Sequence, residues 1–239
     1  MPTFRHGKRT VVLLNGTDMS PFLNEATQTQ EIETAETTTF ADDDKTYITG
    51  LADGTISTSG LFDSTAGASN DILTGAIGQE DNTFTVLPEG ATAGAQSIIA
   101  NGQLTSYEVS SPVGDVVAIS AEVQADGGLF SGRALNGFTN TGTSASLASV
   151  NYGGSGGNGA LFNLHATANT RDDNSTVKVQ HSADDTTFVD LVTFTAVSAS
   201  TTSGESITST GTVNQYLRAV HTLAGASGSI TYHVSAARR

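Results

Sequence analysis

An all-β chain is what this sequence predicts, and three observations carry the prediction. Glycine is abundant at 26 residues, serine and threonine recur throughout, and hydrophobic residues make up 37%. Apolar residues come in short runs that alternate with polar ones, the two-residue period of a strand with one packed face. One stretch alone has the cap and spacing of a helix. Together these favour sheet layers over a helical or doubly wound chain. The 239 residues suffice for one large or two small β-domains with real cores.

From the start, residues 1–9 carry Arg5, Lys8 and Arg9 and read as an extended basic arm. A strand over 10–15 follows, turned at Asn15-Gly16-Thr17-Asp18, and Pro21 with Phe22 marks a bend that pins an aromatic on the core. Residues 26–40 form a long, charged, threonine-rich strand with Ile32 and Phe40 as its few large anchors. A strand so poor in apolar residues is expected to face solvent on one side or to be buried against another chain. The stretch 41–54 reads as a loop, and 54–62 as the next strand. The short helix is expected to begin at Ser64 as N-cap, to carry Asp71, Ile72, Leu73 and Ile77, and to stop at Gly78.

Strands over 82–87 and 96–100 lead into the clearest element, 104–127. It reads as two strands turned at 110–115. In the second, Val117, Ile119, Ala121 and Val123 alternate with Ala118, Ser120, Glu122 and Gln124. The polar side holds an acid and small hydroxyls but no nucleophile or ligand cluster, so the hairpin presents a wall. Composition then changes: 131–159 is rich in Gly, Ser, Asn and Thr and reads as a linker or long loop. Strands follow at 161–168, 176–182, 187–196, 206–210, 214–223 and 229–236. In the last, Ile230, Tyr232 and Val234 oppose Thr231, His233 and Ser235. Short strands with regular turns read as a second sandwich. The expected domains are 1–130 and 160–239.

Net charge is −14. Residues 1–133 hold 18 acids and 5 bases, whereas 134–239 hold 6 and 5. So acidic a chain is not expected to grip phosphate backbones; solubility or a salt-rich host environment also accounts for the acidity. The absence of cysteine excludes disulfides and thiolate metal sites. Near the start the one apolar run is Val11 to Leu14, too short for a signal-peptide core or membrane span, so cytoplasmic synthesis without membrane insertion is expected.

Several motifs tempt. Gly153-Gly154-Ser155-Gly156-Gly157 matches a nucleophile elbow by letter, and Gly154, Gly156 and Gly159 match a dinucleotide fingerprint. Neither has the strand and helix its chemistry needs. The histidines, His6, His165, His181, His221 and His233, show no helical pair. His181 with Asp184 and Asp185 suggests a weak metal site or dyad, but a hairpin turn explains the acids. Asp42, Asp43 and Asp44 supply oxygens a hard cation favours, yet not at EF-hand spacing; a solvated or interface loop is the preferred reading. Carboxylates such as Glu31, Glu33 and Glu122 lack a partner or pocket that would split their pKa values. The reading is therefore no enzyme, no cofactor and no metal.

The order of features over residues 4–128 is more informative. SPFLNE, a polar strand ending in ETTTF, an acidic loop, KTYITGLADGTISTSGLFD, a short helix and LTSYEVSSPVGDVVAISAEVQADG follow one another. This succession resembles the tail tube (major tail) proteins of long-tailed bacteriophages and related archaeal viruses. The resemblance implies a tail-tube β-sandwich with one short flanking helix, forming rings that stack into a hollow tube of the virion tail. It implies an inter-ring loop, here Asp42, Asp43, Asp44, Lys45, Thr46 and Tyr47, and inner sheets joined edge to edge.

A ring of roughly 24 strands at about 4.8 Å spacing would be on the order of 40–50 Å across, wide enough for duplex DNA. Glu122 and Gln124 are the expected lumen-facing residues, DNA passing without specific binding. The implied partners are further copies of the chain in rings of six tube-domain equivalents, from six chains or three two-domain chains. Tape-measure, tail-terminator and baseplate proteins complete the list. The second sandwich is either an exterior decoration or a diverged second tube domain whose final hairpin, 213–236, echoes 104–125. The alternative function is a secreted or surface-displayed adhesin or sugar-binding module.

Overall fold

The computed structural model describes residues 6–239. The first half contains β1 (Val11–Leu14), β2 (Thr17–Asp18), β3 (Leu23–Glu36), β4 (Tyr47–Leu61), α1 (Ser69–Ala76), β5 (Asn82–Leu87), β6 (Gln96–Ser110) and β7 (Ala118–Ala125). Four short strands follow: β8 (Phe130–Ala134), β9 (Thr139–Thr141), β10 (Ala145–Ser146) and β11 (Val150–Asn151). The remainder comprises β12 (Ala160–Asn169), β13 (Ser175–Ser182), β14 (Val189–Thr193), β15 (Ser203–Ser209), β16 (Tyr216–Leu223) and β17 (Ile230–Arg238). The chain is all-β with one flanking α-helix, as the alternation indicated.

The strands stack in four layers. In the first, β3, β4, β7 and the second half of β6 pair antiparallel. Strand β6 is long enough to leave this layer, and its first half pairs with β5 and β8 in the second layer, beside β1 and β2. Between these layers lies an apolar core of Val12, Leu14, Ile56, Phe84, Val86, Leu104, Ile119 and Val123, closed by Leu73 and Ala76 of α1. The third layer is β15-β12-β17, joined to the second through β8. The fourth, β14-β13-β16 with β10 and β11, covers a second core that includes Phe162, Leu164, Val177, Phe194, Leu217 and Tyr232.

The second and third layers meet on a seam that is largely polar. Asn163 Nδ2 donates to the carbonyls of Phe84 (2.7 Å) and Ala100 (3.2 Å), and Ser206 Oγ donates to Thr83 Oγ1 at 3.2 Å. The Asn15-Gly16 turn, both residues at positive φ as a two-residue hairpin requires, reaches across it. Gly16 N donates to His165 Nδ1 at 3.2 Å, so His165 Nε2 carries the proton and donates to Thr85 Oγ1 at 2.9 Å. A Cβ on Gly16 would lie 2.3 Å from Ser203 O, which only glycine avoids.

Several expectations need correction. Residues 1–5 of the expected basic arm lie outside the described residues; Gly7–Arg9 forms a 3-10 turn, with Lys8 N donating to His6 Nδ1. The helix starts after Ala68, not at Ser64, because Ser69 Oγ ties its first residue to Leu61 O and Asp63 N. The loop expected over 41–54 is shorter: β4 already begins at Tyr47, paired with Glu36. The stretch 131–159 holds most of β8 and all of β9, β10 and β11, with Leu135 and Val150 in the second core. The segment 213–236 is not a hairpin: β16 pairs with β13, whereas β17 pairs with β12 in another layer. The expected opposition within β17 holds, and both faces are dry there: His233 and Ser235, opposite Tyr232 and Val234, are completely buried in the seam.

Candidate assembly surface

Two features of the first layer are left uncovered by the rest of the described chain. One is the outer part of the β3–β4 hairpin. Its strands stay paired from Leu23↔Gly60 to Glu36↔Tyr47, yet every residue from 29 to 53 is exposed. Beyond Gln30 the ribbon extends roughly 20 Å at about 3.3 Å per residue. A two-stranded ribbon is at best marginally stable in water, and this one shows Ile32, Tyr47, Ile48 and Leu51 to solvent. Its tip holds Phe40 with no cover at all, at 114% relative exposure.

The expected inter-ring residues cluster at this tip. Asp42 accepts from Thr39 N (2.7 Å) and Thr39 Oγ1 (2.9 Å), and these bonds hold its carboxyl below the usual range. Lys45 pairs with Glu36 at 3.2 Å. Thr37 and Thr46 close the ribbon through Thr37 N to Thr46 O, 2.8 Å, and their hydroxyls. Asp43 and Asp44 point into solvent with Tyr47 at the strand end. Among the described residues no three His, Cys, Asp or Glu side chains stand close enough to hold a metal ion.

The second feature is the outward face of the layer. Register places Glu25, Thr27, Thr29 and Glu31 of β3 beside Ser59, Ser57, Thr55 and Asp53 of β4. Ser120, Glu122 and Gln124 of β7 continue the rows, followed by Ser106 and Glu108 of β6. The face thus carries five acids, no base and otherwise small hydroxyls and amides. Glu122 is exposed; Gln124 is half-buried and donates to the carboxylate of Asp53 and to Gly54 O. The other side of the same strands packs Ile56, Ile119, Ala121 and Val123 into the core, so alternation alone makes the wall.

The remaining candidates are structural. Asp184 accepts from Ser182 Oγ and from the amides of Thr186 and Thr187, bonds that lower its pKa and shape the β13–β14 turn. His181 Nδ1 instead accepts from Asn214 N at 3.1 Å. The glycine run 153–157 sits between β11 and β12 and is clamped by Arg238 to the carbonyls of Tyr152 and Gly154. Sequence reasoning missed the polar seam, where burial holds the pKa of His165 and His233 down, that of His233 to about 4. Its signal was present as polar residues at alternate positions of an otherwise apolar strand, Asn163 and His165 on one face of β12.

No family model matches the chain, and no curated protein does. Three solved structures similar to it come from gene transfer agent particles and a phage. A chain of the virion of a native gene transfer agent particle is 16% identical, with TM-score 0.43, covering 53% of this chain and 97% of that one. A chain of the tail of an empty gene transfer agent particle, solved with helical refinement and C6 symmetry, is 16% identical with TM-score 0.42 over the same shares. The Dit protein of phage SPP1, a hub of the adsorption apparatus, is 12% identical with TM-score 0.37, covering 95% of this chain and 98% of that one.

Proposed function

We propose that this chain is a virion structural protein that self-assembles into stacked rings, forming the hollow tail tube through which viral DNA is delivered. The observation that carries the reading is the first layer: a sheet whose outer strand β3 pairs only with β4, with a naked ribbon at one end and an acidic face. An open edge in a monomer invites pairing, and a ring of copies gives every edge a partner. Four strands from each of six copies make the roughly 24-strand barrel whose bore passes a duplex. Its lining would be Glu25, Glu31, Asp53, Glu108 and Glu122 with Gln124, which repel phosphates and let DNA slide.

The layer order supports an exterior role for the second unit, residues 160–239. Its strands stack behind the second layer, on the side away from the acidic face. Six single chains, each with an outer decoration, then make a ring; with 213–236 not a hairpin, nothing in it echoes the lumen strands. The test is electron microscopy of the purified full chain. Rings or tubes with sixfold end-on symmetry are expected; discrete monomers at all concentrations would overturn the reading and favour a free-standing adhesin.

A further inference from the structure

We propose that the hairpin tip of one copy docks, head to tail, in a groove at the opposite end of β3 in a second copy. This rests on the tube reading and names the surface that receives the hairpin. The groove, about 560 Å³, runs between the segment 6–12 and the first residues of β3. Val12, Leu23 and Ala26 give it an apolar floor, and Lys8 and His6 stand on its wall. Its one acid, Glu25, turns toward Ser59 Oγ on the acidic face, 3.4 Å away. The groove is thus apolar below and basic at the rim.

The tip has the complementary pattern. Phe40 projects without cover, and Glu36, Asp42, Asp43 and Asp44 surround it with Lys45 as the one base. Lys45 is already held by Glu36. Residues 6–130 contain three Lys or Arg side chains, Lys8, Arg9 and Lys45, so two of the three lie in the turn beside the groove. The most acidic point of the first half therefore has one basic counterpart there outside the hairpin itself.

Geometry decides who the occupant is. The groove borders Leu23, where β3 begins, and the tip follows Glu36, where it ends. Thirteen residue steps of strand separate them, roughly 40 Å, so a paired ribbon cannot fold back into its own groove. A tip that occupies such a groove therefore belongs to another copy. Such a contact joins two different surfaces and does not close on itself, so repetition builds a filament along β3. The β6–β7 turn lies at the groove end of the layer, because Ala118 pairs with Leu61 and Gln124 with Thr55. It exposes Val113 and Val116, which extend the apolar receiving surface.

A charge exchange in the full-length protein tests this. Lys8→Glu with Arg9→Glu, and separately Asp43→Lys with Asp44→Lys, alter exposed residues, and unchanged thermal melts verify the fold. Each pair is expected to raise the protein concentration needed for tubes about tenfold or more while rings persist. Combining all four is expected to restore assembly to within about threefold of wild type. Wild-type tubes with both reversals assembling normally would overturn the docking but leave the tube reading intact, as would failure of the combination to recover. A wild-type protein that forms neither rings nor tubes would remove the tube reading itself.

Discussion

Two pairs of long antiparallel strands, β3–β4 and β12–β17, have the same hydrogen-bond pattern and opposite surroundings. Strand β12 is buried on both faces from Ala160 to Ala166, and β17 from Tyr232 to Ala237. The outer half of β3–β4 is exposed on both faces. Backbone pairing contributes little net free energy in water, about 1 kcal/mol per bond at most sites, so burial separates a self-sufficient pair from an incomplete one. The inner pair is held by its own chain. In the proposed ring, the outer pair is finished by another copy.

The largest expected effect breaks the self-sufficient side. Phe162 is fully buried in the second core, and Phe162→Ala should cost about 3–5 kcal/mol in a urea melt. A loss below about 1 kcal/mol would mean that this core does not hold the pair. Next comes the seam beneath β12 and β17. His233 is neutral when folded, its pKa pushed down to about 4 by burial, and its Nδ1 has no partner. The unfolded chain titrates near 6.5, so between these values it binds the extra proton. Stability is therefore fully present above pH 6.5 and is lost as pH falls toward 4, by about 3 kcal/mol from this residue. Burial pushes His165 the same way. Denaturation midpoints at pH 7 and 4.5 should differ strongly in wild type and less in His233→Gln; equal pH slopes would assign the acid sensitivity elsewhere.

The comparison also explains what could be read from the sequence. Strands with one dry face were legible, because Ile119, Ala121 and Val123 announce their partner layer by alternation. The exposure of the hairpin was legible because TQTQEIETAETTTF is too polar to pack within its own chain, although it ends in Phe40. The seam was not. His233 and Ser235 alternate with apolar residues as solvent-facing ones do, and only the third dimension shows them fully buried, with the Phe138 ring beside His233. Long-range strand order was hidden for the same reason: β16 and β17 are neighbours in sequence and look like a hairpin, but each completes a different layer. The stretch 131–159 looked like a linker because Gly, Ser and Asn dominate it, and strands of two to five residues leave little periodicity to find.

Removing the apolar tip should sharpen the contrast with Phe162. Because Phe40 touches nothing in its own chain, Phe40→Ala should change folding stability by less than about 0.5 kcal/mol. Tube formation, followed by sedimentation, should weaken all the same. A variant as prone to assemble as wild type would show that the exposed ring is idle.

The smallest effect on the folded chain concerns the acidic wall, and it separates a lumen from an ordinary wet face. Glu108 and Glu122 stand on neighbouring strands of the first layer, exposed and outside any ion pair among the described residues. Replacing both by lysine leaves the alternation intact and moves stability by no more than about 0.5 kcal/mol. In a monomer the change is trivial. In a ring of six it replaces twelve negative charges by twelve positive ones on one inner surface, and affinity for phosphates rises with each counterion released. Tubes of the Glu108→Lys, Glu122→Lys variant should then retain duplex DNA at low salt and release it as salt is raised, whereas wild-type tubes pass it freely. Equal DNA retention by both would mean that this face does not line the bore.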